Sequence, residues 1–221
     1  MIKSSRTAKA MKPEPDVGCR KCPRLVKFRR QNEKLYPDYF NGAVSSFGDA
    51  DARILVLGLA PGLQGANKTG RPFTGDFSGV LLFKCLATMG WTVGENGNHA
   101  DDGLALKDVM ITNAVRCVPP ENKPTGPEVN NCRPYLMARM HALPRLKVIF
   151  ALGKVAHDSA VRTFGFKLAD YKFAHAAVHQ LPNGLTLVDT YHCSRYNVNT
   201  GRLTEEMFMD ALKTAARALQ P

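Results

Sequence analysis

Asp76, Asn113 and His192 each stand just beyond or beside an apolar run, in "RPFTGDFS", "VMITNAVRC" and "LVDTYHCSR". An Asn directly after a strand presents one donor and one acceptor to an amide-like edge. A His can donate a hydrogen bond to an oxygen that gains negative charge. A carboxylate can hold a water or balance positive charge on a sugar. Phe73 precedes Asp76 by three residues and offers a face on which a flat ring can stack. Glycines at 58, 62, 65, 70 and 75 allow close approach of backbone to a ligand, and Gly62 is placed in the base pocket on that ground. Together these types suit cleavage of a bond between a base and a deoxyribose.

The same glycines raise the question of a phosphate cradle. A Walker loop needs G-x-x-x-x-G-K-[ST], and "GANKTG" has Lys68 and Thr69 without that spacing. A G-x-G-x-x-G opening a helix is also absent. Lys68 is better suited to a phosphate contact than to a Schiff base, since hydrolysis needs no covalent amine. The loop after His192, "HCSRYNVNTGR", adds Arg195, Tyr196 and Arg202. Arginines contact phosphates and an exposed aromatic can wedge into a base stack, so these three are expected on the nucleic-acid side.

Six cysteines stand at 19, 22, 85, 117, 132 and 193. Cys19 and Cys22 form a CxxC, and Cys117 and Cys132 lie in polar, proline-rich settings. Four such thiols suit tetrahedral zinc or an iron–sulfur cluster, and spacing alone leaves both open. Cys85 belongs to an apolar helical run and is expected in the core. Cys193 sits beside His192, where an apolar residue would serve.

These residues must be positioned by regular elements. A continuous apolar run at 52–60 reads as a buried parallel strand, and 108–115, 146–153 and 185–192 read as three further strands. Helical patterns follow the CxxC within 18–40, then at 76–91, 126–143, 154–165 and 204–220, with Thr204 as an N-cap. Alternating strands and helices define an α/β class with a short, mostly parallel sheet. Ligands of such sheets bind beyond the carboxyl ends of the strands, which is where Asp76, Asn113 and His192 fall.

Composition bounds the partners. The 221 residues are 44% hydrophobic and 22% charged, enough for one sizeable core. The formal charge of +11 favours a polyanion such as nucleic acid. No run of 18 apolar residues predicts a membrane helix. The basic start, residues 1–16, has no apolar signal region and reads as a disordered tail, leaving 17–221 as a single domain.

At these motifs the chain resembles the uracil-DNA glycosylase superfamily, most closely its family 5, the type-5 enzymes of bacteria and archaea. The carriers are "GLAPG…GANKTGRPFTGD", "ITNAVRCVPPENKPT" with Cys132, and "YHCSRYNVNTGRLT". Other families place a polar residue right after the first Gly of the first motif, where this chain has Leu59 and Ala60. The resemblance then implies Asp76 as the catalytic acidic residue, Phe73 stacking on a flipped base, Asn113 contacting base or water, and His192 stabilising the leaving group. Asn197 would brace the last loop. It further implies a three-layer αβα sandwich on a four-stranded sheet, and a structural 4Fe–4S cluster on Cys19, Cys22, Cys117 and Cys132. The implied activity is monofunctional removal of uracil, hypoxanthine and xanthine from double-stranded DNA, leaving an abasic site. A monomer acting in the cytoplasm at the nucleoid is the expected setting. The rival is a non-catalytic iron–sulfur nucleic-acid-binding module on the same fold, whose mark would be loss of Asp76, Asn113 or His192.

Overall fold

The computed structural model describes residues 11–220. In chain order it contains α1 (Pro23–Leu35), β1 (Phe47–Gly48), β2 (Ile54–Gly58), α2 (Ala66–Thr69), α3 (Phe77–Thr88), β3 (Thr92–Val93) and β4 (Ala105–Leu106). There follow β5 (Val109–Asn113), α4 (Gly126–His141), β6 (Val148–Leu152), α5 (Lys154–Thr163), β7 (Val178–Gln180), β8 (Thr186–Thr190), α6 (Arg195–Asn199) and α7 (Glu205–Arg217).

Four strands, β5-β2-β6-β8, pair in parallel at the centre of the main sheet. Every residue in them is buried, so their sequences do not alternate: β2 and β6 are apolar throughout up to Gly58, while β5 and β8 bury polar Thr112, Asn113, Thr186, Asp189 and Thr190 as well. The two faces are covered by different helices. Ile54 and Val56 join α3 and α7 in one core, while Leu55 and Leu57 join α4 and α5 in the other. This is the αβα sandwich expected from the sequence, with one correction. The sheet has six strands, not four, because β1 and β7 add antiparallel edges. These are two and three residues long and largely exposed, too short to carry a periodic apolar signal. A separate hairpin of β3 and β4 lies between α3 and β5.

Successive connections leave the central strands β2 and β6 in opposite directions, opening a crevice at their carboxyl ends. A third, small apolar cluster gathers Cys22, Leu25, Ala43, Val115, Cys117 and Cys132, with Cys19 and Ala60 packed against it. Of the segment expected as a tail, residues 1–10 lie outside the described residues. Glu14, in the remainder, accepts from Arg116 Nη1 at 2.6 Å, Arg139 Nε at 2.9 Å and the Ser46 amide at 3.0 Å. Among the described residues no helix is long and apolar enough to cross a membrane.

Candidate active site

The chain leaves β2 at Gly58, and the reason for glycine there is steric. A Cβ at this position would overlap Asn113 Oδ1 and stand 2.7 Å from the Phe73 ring. The end of β2 is therefore closed over by the two side chains that line the crevice. Gly65 has the same role one turn later, since a Cβ there would overlap the Asp76 carboxylate. Gly62 also faces that carboxylate, 3.2 Å from Oδ2 by the same construction. The glycine-rich loop is thus shaped around Asp76.

Asp76 caps α3, its Oδ1 accepting from the Gly79 amide at 3.1 Å. That leaves Oδ2 over Gly62 and Gly65, on the cavity side. Burial raises the Asp76 pKa, and amide hydrogen bonds from Gly79 and Ser78 only partly offset it. A desolvated carboxylate is a stronger base than one in water. Phe73 is buried and holds φ at 54°, a left-handed conformation that a large side chain adopts only when its surroundings impose it.

One small, partly open cavity is lined by Ala60, Pro61, Gly62, Ala66, Phe73, Asp76, Ser78, Asn113 and His192. It brings together five residues singled out in the sequence, from the loops after β2, β5 and β8. Asn113 is buried, and its Oδ1 has no hydrogen-bond partner in the protein. A buried acceptor without a donor is costly unless a ligand supplies one. The His192 ring lies 6.2 Å from that of Phe73, the two planes inclined by 27°. Burial alone lowers the His192 pKa to about 4, so at neutral pH the imidazole is uncharged and retains one N–H. The ring still reaches the cavity. It is surrounded by protein but not sealed.

The remaining candidates sit around this cavity rather than in it. Asn197 Nδ2 donates to the His192 carbonyl at 2.8 Å. Tyr196 is 71% exposed. Arg195 lies over the Phe77 ring at 5.4 Å and Arg202 over the Tyr191 ring at 4.6 Å. Stacking of this kind holds a guanidinium in place while leaving its N–H groups available. Lys68 lies over Tyr39 at 5.5 Å, outside the cavity. Ser78 and Ala66 line the cavity but were not singled out from the sequence, where a Ser inside a helical run and an Ala have no distinguishing signal.

Cys19, Cys22, Cys117 and Cys132 converge from the turn before α1, the loop after β5 and the first half of α4. Among the described residues, the only group of three ligand-type side chains with donor atoms all within 4.8 Å is His157, His179 and Asp189. No three of the four thiols are that close, whereas a tetrahedral zinc at about 2.3 Å from each sulfur holds them roughly 3.8 Å apart. The surroundings are cationic. Arg29 donates to the Cys19 carbonyl at 3.2 Å, and the buried Arg116 keeps one terminal nitrogen, Nη2, without a partner. The His157 group is internally satisfied, with Nδ1 2.9 Å from Asp189 and Nε2 2.8 Å from the Tyr171 carbonyl. Cys85 and Cys193 are fully buried in the apolar core under α3 and α7.

The family model described as the uracil DNA glycosylase superfamily matches residues 45–216. The chain is 43% identical over 206 residues to the type-5 uracil-DNA glycosylase of Thermus thermophilus, covering 91% of this chain and 94% of that one. It is 40% identical over 204 residues to the type-5 uracil-DNA glycosylase of Pyrobaculum aerophilum, covering 90% and 88%. Similarity to the type-4 uracil-DNA glycosylase of the same organism is lower, 33% over 159 residues and 70% of this chain.

Proposed function

Because the chain belongs to the uracil-DNA glycosylase superfamily, we propose that it is a DNA repair glycosylase hydrolysing the N-glycosidic bond of uracil, hypoxanthine and xanthine in double-stranded DNA. The observation that carries this reading is the orphan amide oxygen of Asn113, buried in a cavity with Phe73, Asp76 and His192. The three bases share a lactam edge, a ring N–H beside a carbonyl. An Asn amide held with Oδ1 toward the ring N–H pairs with that edge, whereas cytosine and adenine place an unprotonated ring nitrogen there and would fit only the amide turned end for end. Ala60, next to Leu59 where other families carry a polar side chain, leaves the cavity wall small and apolar.

The chemistry follows from the positions. The target nucleotide leaves the stack and its base lies on Phe73, at a cost least for mispaired or damaged bases. Water bonds to the anomeric carbon as the carbon–nitrogen bond breaks. Its proton passes to the Asp76 carboxylate, whose Oδ2 faces the cavity. The electron pair of the broken bond leaves with the base, and the neutral His192 N–H stabilises the base oxygen that takes up that charge. The products are a free base and an abasic site. Arg195, Tyr196 and Arg202 then serve the duplex around the lesion, in keeping with the net charge of +11.

Cys19, Cys22, Cys117 and Cys132 are assigned to a 4Fe–4S cluster. No three of the thiols gather within 4.8 Å as one tetrahedral zinc would hold them, and the unpaired Arg116 donor beside them suits an anionic group. When bound, the cluster supplies cross-links between α1, the loop after β5 and α4. Through Ala60, which packs on this region and lines the cavity, it supports the site without entering the reaction.

Duplexes carrying a single uracil, hypoxanthine or xanthine are expected to break at the lesion after alkali, and an intact duplex is not. Tight lesion binding with no alkali-sensitive product would overturn the catalytic reading in favour of a binding module.

Two further outcomes follow. With the His192 pKa near 4, the imidazole stays neutral throughout the range above it. The single-turnover rate is therefore flat through pH 6.5, the ordinary imidazole value. It falls only as acid protonates Asp76, whose folded pKa lies above its ordinary value. The folded state also binds the His192 proton less readily than the unfolded chain, so stability drops as pH falls from 6.5 towards 4. An inflection in rate at 6.5 that persists in Asp76→Asn would show a charged imidazole instead. Separately, Phe73→Ala is expected to weaken recognition of every flipped base by about 1–3 kcal/mol, since stacking is indifferent to base identity. Unchanged activity on uracil would return Phe73 to a core role.

A further inference from the structure

The loop joining β3 to β4, residues 94–104, contributes nothing to the cavity lining, yet it is tied to the catalytic loop on both sides of Phe73. On one side, Arg71 and Asp102 form a bidentate ion pair with both contacts at 2.6 Å. Both side chains are almost fully buried, 6% and 2% exposed. Arg71 Nε also donates to Thr74 Oγ1 at 2.8 Å, so one guanidinium bridges the residues flanking Pro72 and Phe73. Asp102 is held in turn by the amides of Gly97 and Leu104, each at 3.0 Å. On the other side, the Gly75 amide donates to Asn98 Oδ1 at 2.8 Å. Gly75 is the residue between Thr74 and Asp76.

We infer that Asp102 and Asn98 are positioning residues: the β3–β4 loop clamps residues 71–75 at both ends and so holds Phe73 in its left-handed conformation with its ring over Gly58. The physical need is plain. A Phe at φ 54° is not stable by itself and must be over-determined by its surroundings. Local hydrogen bonds inside the segment, from Thr69 Oγ1 to the Thr74 carbonyl at 3.0 Å, fix the backbone of the loop but not its placement on the rest of the fold. The two long-range anchors do that. A buried Arg–Asp pair with satisfied partners is geometrically specific, because the planar fork accepts one orientation of the carboxylate.

The inference rests on Phe73 acting as the stacking residue, and a double-mutant cycle separates the two ideas. Asn98 is exposed and sits at φ 61°, so Asn98→Gly removes the acceptor without straining the backbone, and Asn98→Asp keeps it. Single-turnover rates on a uracil duplex are measured for Asn98→Gly, Phe73→Ala and the double variant, with intact-duplex affinity and melting temperature alongside. Asn98→Gly is expected to slow the reaction about three- to ten-fold, the worth of one hydrogen bond, with intact-duplex affinity unchanged and Asn98→Asp restoring the rate. In the Phe73→Ala background the same change has no further effect. Asp102→Asn, buried and more disruptive, is expected to slow the reaction by more than ten-fold and lower the melting temperature. If Asn98→Gly slows the enzyme equally with and without Phe73, or in neither, the clamp does not act through Phe73. If Phe73→Ala itself is silent, the stacking assignment fails instead.

Discussion

Asp76→Asn is expected to slow base release by about 10²–10⁴-fold on every substrate, the range lost when a positioned general base is removed. The substitution keeps an oxygen that can accept from the Gly79 amide, so the cap of α3 survives and the fold is little disturbed. What disappears is the basic Oδ2 beside Gly62 and Gly65. Affinity for DNA should hold or rise, since a negative charge leaves the site. His192→Ala provides the contrast. Losing one preorganised donor typically costs about 10²–10³ in rate, and here the loss depends on the base. A more acidic leaving group, such as a fluorinated uracil, needs less help and should narrow the His192 defect. The Asp76 defect should not change, because the attacking water and the sugar are common to all substrates. Single-turnover rates for both variants on both bases test this. An Asp76 defect that tracks leaving-group acidity, with a His192 defect that does not, would exchange the two roles.

Cys132→Ala should cost the protein its fold as well as its cluster. The wild-type chain, purified without oxygen, is expected to be brown and to hold about four irons. Losing a ligand removes the cross-link between α4 and α1, and binding of such a group is coupled to folding. It also leaves Arg116 Nη2 with no acceptor, while Nη1 keeps its ion pair with Glu14 at 2.6 Å. A buried donor left without an acceptor costs about 1–3 kcal/mol, a sizeable share of the roughly 5–15 kcal/mol that holds a domain together. The expected result is a colourless, poorly soluble product with a strongly lowered melting temperature. Cys85→Ser is the control: Cys85 lies in the α3 core, away from the other four, and its loss should leave the colour intact. A colourless wild type with one tightly held zinc would overturn the cluster assignment.

The sequence by itself determined the parts that local composition encodes. Parallel strands buried on both faces are rich in apolar and β-branched residues without alternation, so β2, β5, β6 and β8 were legible, and with them the loops where a ligand must sit. A polar residue at the end of such a strand stands out, which is why Asn113 and His192 could be named, and Asp76 stood out as the acid that ends the glycine-rich loop and opens a helical run. The CxxC and two distant cysteines marked a four-thiol site but not which metal it serves.

Only the tertiary structure decided the rest. Strands β1 and β7 depend on pairing with β5 and β8, and two or three half-exposed residues carry no period of their own. Glu14 looked like part of a tail because its partners, Arg116 and Arg139, lie more than a hundred residues away. Asp102 and Asn98 sit in a polar loop that resembles any solvated turn, and their roles come from Arg71 and Gly75, over twenty residues upstream. The orphan state of Asn113 Oδ1, the neutral imidazole of His192 and the raised basicity of Asp76 are products of burial. Burial is set by residues distant in the chain that pack around each group, so no window of sequence contains it.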